Sequence, residues 1–309
     1  MKNSKIVFST IIASLALFSC TKKEETPTLE TPTLETPTLE TPTLGNTTLG
    51  NTTLEFQNII GSNPIELGAD ASTAKSYISN NQTLKFSEIK YIISNIRLVK
   101  TDGSTISYNV DNLDTGAFVL NQSNPESLKL HLSDLQTGAY KEILFDYGIR
   151  KELNHLDESR FPKFYKEAGK NDSRMHWEWG KGYRFTKIEG FWGNDNKVLS
   201  VHTGSTIKDR DTKAIGVDAC RTVKLVLPKN LEVGSNPSLV VIAADFDKLL
   251  NGSQKITLVE EDEDGEAQNN EYQATPNTHT ALQMIGFINN LAGDNQTNTT
   301  GMFRIKEVK

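Results

Sequence analysis

Cysteine is nearly absent from this chain: its 309 residues include two, Cys20 and Cys220. Cys20 stands where a processed leader would end, so one thiol is left beyond it and no intramolecular disulfide is expected in the exported chain. Positive charge is also short, with 33 lysines and arginines against 39 aspartates and glutamates and a formal net charge of −6. That balance argues against nucleic acid as a partner, because phosphate contacts need clustered lysine and arginine and no basic stripe is present. Beyond residue 20 no apolar run reaches the roughly 18 residues that a membrane-spanning helix needs. Catalytic apparatus is missing too: there is no His-Glu-x-x-His helix, no Gly-x-Ser-x-Gly elbow, no Cys-x-x-Cys and no Gly-rich phosphate or dinucleotide loop. The chain is therefore not expected to be an enzyme, although spacing alone leaves hydrolysis by paired carboxylates open.

What is present falls into three parts. In residues 1–20, Lys2 and Lys5 precede an apolar run from Ile6 to Phe18, closed by Leu17-Phe18-Ser19-Cys20, which reads as a secretory signal ending in a lipobox. Cys20 is then the expected lipidation site and the expected link to a membrane, with several acyl groups needed for a lasting anchor. Residues 21–55 hold a five-residue repeat: TPTLE three times, then TPTLG, NTTLG and NTTLE from Thr26 to Glu55. Lacking aromatic residues and rich in proline and threonine, it reads as a semi-extended, disordered tether with a reach on the order of 90 Å at about 3.1 Å per residue. Residues 56–309 are the expected domain, long enough to bury about 70 to 75% of their surface without disulfides. Localisation at a Gram-negative outer membrane or cell surface follows from this layout.

Alternating segments at Leu84–Val99, Leu128–Leu132, Tyr140–Tyr147, Val223–Leu227 and Leu239–Ala243, punctuated by glycine, proline and asparagine, predict a mostly β fold. Many short strands without alternating helical segments favour an antiparallel β-sandwich of Ig-like or Greek-key type over a parallel sheet. One or two short helices are expected, near Asp157–Ala168 and Asp245–Leu250, with the aspartates as N-caps.

Residues 174–204, RMHWEWGKGYRFTKIEGFWGNDNKVLSVHTG, hold all three tryptophans and two of the five histidines. If Met175–Trp179 is extended, Met175, Trp177 and Trp179 share one face and His176 the other. Gly180 and Gly182 break that run, Tyr183, Phe185 and Ile188 restart a strand, Gly193–Asn196 supplies a turn, and Val198–Val201 returns. This arrangement would place Trp177, Trp179 and His202 close together. His131 alternates with Leu128, Leu130 and Leu132 and is expected to face solvent, like His155 and His279 in their polar surroundings. Cys220 is expected to be a buried thiol, with a soft copper ligand as the lesser reading.

The stretch MHWEWGKGYRFTKIEG followed by VHTG resembles the MbnP-like copper-binding domain family, with its Met-x-Trp-x-Trp, Gly-Tyr-x-Phe-x-Lys-x-Glu-Gly and His-x-Gly motifs. IKYIISNIRLV (Ile89–Val99), YKEILFDYGIRKELN (Tyr140–Asn154) and the closing GMFRIKEVK are similar to three more of its signatures, so the resemblance spans residues 54–309. It implies copper held by histidine together with kynurenine, formed from tryptophan after export by a partner di-haem enzyme. Indole offers only an N–H donor, whereas ring opening exposes an aniline nitrogen and a ketone. Carried over, Trp177 or Trp179 is the candidate for modification and His202 the candidate ligand, with Met175 and His176 inside the same motif. A characterised member has histidine two places after the modified tryptophan, where Trp179 follows Trp177 here. Relatives read Tyr-His-Leu-Ile-Asp where this chain has Tyr108-Asn109-Val110-Asp111.

Two further readings are open. Glu260–Glu271, EEDEDGEAQNNE, spaces its acids like a calcium-binding EF-hand loop. Glu260 at the first position, Ala267 at the eighth and the strand-like KITLVE before it favour a solvated hairpin loop instead. The alternative to copper is an envelope adhesin or glycan-binding protein, with Trp177, Trp179, Tyr183, Phe191 and Trp192 forming an exposed stacking platform.

Overall fold

The computed structural model describes residues 48–156, 158–169, 174–177, 182–209, 214–260, 273–274, 281–296 and 301–309. Strand β1 (Leu49–Ile60) begins inside the repeat, before the domain boundary expected at residue 56. A five-residue period in a strand of two-residue alternation places successive leucines on opposite faces, so Leu54 is fully buried while Leu49 is 51% exposed. The last two repeat copies are thus divided between tether composition and sheet.

Strands β2 (Asn63–Pro64), β3 (Ser76–Ser79), β4 (Gln82–Lys100), β5 (Thr105–Tyr108), β6 (Ala117–Asn121), β7 (Lys129–Gln136) and β8 (Gly138–Tyr147) follow. After them come β9 (Thr186–Trp192), β10 (Lys197–Thr203), β11 (Ile207–Asp209), β12 (Ala214–Ile215), β13 (Arg221–Val233), β14 (Ser238–Asp245), β15 (Thr257–Leu258), β16 (Gln273–Ala274) and β17 (Phe303–Val308). One sheet runs β17-β14-β1-β2, with β7 also on β1; the other runs β10-β9-β4-β8-β13, with β3, β5 and β6 also on β4. The ladders are antiparallel except β1 with β14 and β15 with β16, which are parallel. The sandwich expected from alternation is present. The parallel pair is a departure that local patterning does not signal, since parallel neighbours need a long crossover between them.

Aromatic rings fill the space between the sheets. Phe303 of β17 meets Phe145 of β8 edge-on at 5.1 Å and 89°, and also lies 6.0 Å from Phe56 and 5.8 Å from Tyr147. Edge-to-face rings of this kind add to the gain from burying their area. Polar groups inside are paired: the Tyr91 hydroxyl donates to Asn58 Oδ1 at 2.8 Å, and Asn58 Nδ2 donates to Gln122 Oε1 at 2.8 Å. Burial pushes the Tyr91 phenol well above its ordinary pKa.

The helices are short apart from one. α1 (Leu113–Gly116) is capped by Asn112, whose side chain accepts from the Asp114 amide. α2 (Lys151–Asn154) precedes the first expected helical region, Asp157–Ala168, and α3 (Pro162–Ala168) closes it; Phe161 is the α3 N-cap, with Pro162 in the first turn, and Asp157 itself lies outside the described residues. α4 (Lys248–Asn251) starts after Asp247, whose side chain makes no cap hydrogen bond. α5 (Ala281–Ala292) was not anticipated; Phe287, Ile288, Leu291 and Ala292 form its buried stripe. Among the described residues no helix is long and apolar enough to cross a membrane.

Candidate metal centre

The motif stretches identified in the sequence position the centre. In Ser94-Asn95-Ile96 of β4 the ladder with β8 shifts register, and Asn95 takes φ +53°, a left-handed conformation that asparagine tolerates better than most residues. Its side-chain amide donates to Asp146 Oδ2 at 2.5 Å, and Arg97 and Thr222 donate to Asp146 Oδ1 at 2.9 and 2.8 Å. Burial nevertheless dominates, and the Asp146 carboxyl is pushed above its ordinary value. At the end of β8, Gly148 has φ +93°, and a Cβ there would lie 2.3 Å from the Phe185 ring. Asn154 is buried, and its Oδ1 accepts from the Tyr183 amide at 3.0 Å. Gly148 and Asn154 thereby hold Tyr183 and Phe185, in the segment before β9.

In that segment His176 bridges Tyr183 in an antiparallel pair, while the backbone of 174–177 is not a continuous strand. The Trp177 amide donates to Gly182 O at 3.1 Å and the Arg184 amide to Met175 O at 2.5 Å. The Gly193–Asn196 turn sets Trp192 opposite Lys197 and therefore Lys187 opposite His202 in the β9–β10 hairpin, as the turn chemistry predicted.

Trp177 and His202 come together: their rings lie 6.4 Å apart at 63°. Arg184 stacks over Trp177 with its guanidinium carbon 4.7 Å from the ring centre, a cation–π geometry. It also donates to the carbonyls of Arg174 and His176 at 2.8 and 2.7 Å. The backbone of Gly204 lies against the indole edge, since a Cβ there would sit 3.2 Å from Trp177 Nε1 and 2.7 Å from Tyr183 O. That contact explains the glycine in His202-x-Gly204. His202 Nε2 donates to Glu189 Oε1 at 2.6 Å, an assignment that follows from a carboxylate's accepting only. In the tautomer that carries its proton on Nε2 the lone pair lies at Nδ1. On the same sheet face Lys187 and Lys90 both reach Glu88 at 2.5 Å. Burial pushes the Glu88 carboxyl up, but the bonds from Lys187 and Lys90 outweigh it and leave the group below its ordinary value.

The other candidates are dispersed. The His176 ring packs edge-on against Tyr165 at 5.4 Å and Tyr183 at 5.2 Å, with its Nδ1 donating to Trp177 O at 3.0 Å. Met175 is fully buried in the hydrophobic core. Trp179, His279, Cys20 and all but the first residue of the Glu260–Glu271 run lie outside the described residues; Glu260 itself pairs with Lys197. His131 is exposed as expected, bonded to Thr53 Oγ1 at 3.0 Å, whereas His155 is half-buried. Cys220 is free and half-buried, and burial pushes its thiol far up, which makes it a poor thiolate donor. Trp177 and Tyr183 are buried and Phe191 and Trp192 half-buried, so these rings do not form the exposed platform that the adhesin reading requires.

Sequence reasoning missed Glu189 and Arg184. The register set by the Gly193–Asn196 turn was sufficient to place Glu189 diagonally across from His202; nothing local signals the Arg184 stack. Among the described residues no three His, Cys, Asp or Glu side chains converge. The donor set therefore does not suit a closed tetrahedral zinc site. One carboxylate-bonded imidazole stands beside an indole, which as it stands offers only an N–H donor.

The family model for MbnP matches residues 49–274. No curated protein matches the chain. Among solved structures, MbnP from Methylosinus trichosporium aligns with a TM-score of 0.48 and 15% identity, covering 83% of this chain and 98% of that one.

Proposed function

The chain belongs to the MbnP family, and from that premise we propose that it is a cell-envelope lipoprotein whose domain binds copper for storage or delivery, without turnover of its own. The contact between His202 and Trp177, 6.4 Å between ring centres, carries this reading. It joins an imidazole, a good copper ligand, to the side chain whose oxidation would supply a second donor. Trp177 is the favoured site of conversion to kynurenine by an exported di-haem partner, with Trp179 second. Bound copper would contribute a soft, low-coordinate centre. The protein's own part is to orient His202 through Glu189, to fix the indole between Arg184 and Gly204, and to keep both side chains largely buried. Lipidation at Cys20 and the repeat would hold the domain at the outer membrane or cell surface.

The experiment is peptide mapping of the protein purified from its native host, with copper content measured before and after His202→Ala. A kynurenine mass on Trp177 or Trp179 and loss of copper in the variant are the expected results. Unmodified tryptophans and no copper would end this reading.

A further inference from the structure

We propose that Glu189 is the positioning residue of the His202 centre, fixing the ring against Trp177 and reserving Nδ1 as the nitrogen offered to copper. The copper clause of this inference rests on the reading above; the ordering of the ring does not. Its starting point is the 2.6 Å contact from His202 Nε2 to Glu189 Oε1, between side chains only 21% and 26% exposed. A shielded, charge-assisted hydrogen bond of that length constrains a ring far more than a solvated one. Histidines that bind metals commonly donate their remote N–H to a carboxylate, which sets tautomer and orientation together.

The neighbouring charges make the pairing selective. Lys187 stands directly opposite His202 across the hairpin, and Glu88 stands directly opposite Glu189 across β4 and β9. Lys187 is therefore placed to compete with His202 for the Glu189 carboxylate. Instead Glu88 takes both Lys187 and Lys90, each at 2.5 Å, and Glu189 keeps His202. Two carboxylates and two ammonium groups are sorted so that the one acceptor without a lysine faces the imidazole. The ring also meets the Trp177 indole, itself held by Arg184 at 4.7 Å. Carboxylate and indole together restrict the orientation of the ring.

The test uses the full-length chain with His202→Ala, Glu189→Leu and Glu189→Gln, the last keeping both shape and an acceptor oxygen. Metal-free protein is examined first, by long-range proton–nitrogen NMR correlations on the His202 ring and by its proton contacts with Trp177, in mildly alkaline buffer. The expected wild-type ring carries its proton on Nε2 and shows ordered contacts to the indole; Glu189→Leu loses that order and Glu189→Gln keeps most of it. Copper(I) affinity is then measured anaerobically against a chromophoric chelator. A fall of about 10- to 100-fold is expected for Glu189→Leu, largely restored in Glu189→Gln.

A wild-type proton on Nδ1 overturns the proposal, and so does a Glu189→Leu variant with unchanged ring contacts and affinity. Loss of binding in Glu189→Gln as complete as in His202→Ala also overturns it, because Glu189 would then be a ligand. If His202→Ala leaves copper affinity unchanged, the copper reading fails, and the metal-free spectra still decide whether Glu189 holds the ring.

Discussion

Asn154 holds Tyr183: its side-chain carbonyl, at the end of α2, accepts the Tyr183 amide proton at 3.0 Å, and both residues are buried. A residue from the connection after β8 thereby fixes the chain that brings Trp177 to His202. Replacing it with alanine leaves a buried amide without that acceptor, at a cost of about 1 to 3 kcal/mol. Asn154→Ala is expected to lower the unfolding free energy measured by urea titration by that amount and to broaden the Trp177 indole resonance. Unchanged stability and an unchanged indole signal would show that the clamp is not needed.

Gly148→Ala is expected to be more damaging. The position combines φ +93° with a Cβ that would sit 2.3 Å from the Phe185 ring. The backbone alone costs on the order of 1 to 3 kcal/mol for a non-glycine residue, and the ring must also move. Thermal unfolding of the variant measures the sum, and near-ultraviolet circular dichroism reports whether the aromatic packing shifts.

Gly204→Ala tests the indole edge directly. A methyl group 3.2 Å from Trp177 Nε1 and 2.7 Å from Tyr183 O cannot be accommodated in place. The expected outcome is a shifted tryptophan emission with a loss of stability on the scale of core overpacking, about 1 to 3 kcal/mol.

The pH response of stability carries the mark of Asp146. Burial raises its carboxyl above the ordinary value of 3.8 in the folded state. Between the unfolded and folded pKa the native state therefore binds more protons than the unfolded state, so this group's contribution to stability falls as pH rises through that window. In Asp146→Asn that fall is expected to disappear. Parallel urea titrations of both proteins across the acid range check the sign; a wild-type stability that rises relative to the variant over the same window would contradict it.

Removing the last strand is expected to unfold the domain, even though the family match ends at residue 274. Phe303 contacts rings from both sheets, and deleting a buried phenylalanine side chain costs about 3 to 5 kcal/mol. Phe303→Ala should be severely destabilised in calorimetry, and a chain ending at residue 274 should lack a cooperative transition.

Much of this was legible beforehand because it is local. Two-residue alternation located β4, β7, β8, β13 and β14, and Gly193–Asn196 joined β9 to β10. The α5 sequence does not read as a helix because polar Asn290 falls among its buried positions and Gly286 interrupts it, which blurs a helical period. The motif residues were legible as a resemblance, but several prove to be architectural: Asn95 turns a bulge, Gly148 admits the Phe185 ring and Met175 fills the core.

The sequence by itself determined the alternation, the turns, the repeat and its five-residue period, and the crowding of aromatic and imidazole side chains into residues 174–204. Those properties depend on neighbours a few bonds away. Tertiary structure alone decided that β1 lies parallel to β14, that Arg184 covers the Trp177 ring, and that Glu88 rather than Glu189 collects the two lysines. Each of these sets groups from separate segments within a few ångströms, where packing, burial and competing charges choose among partners that composition leaves equivalent.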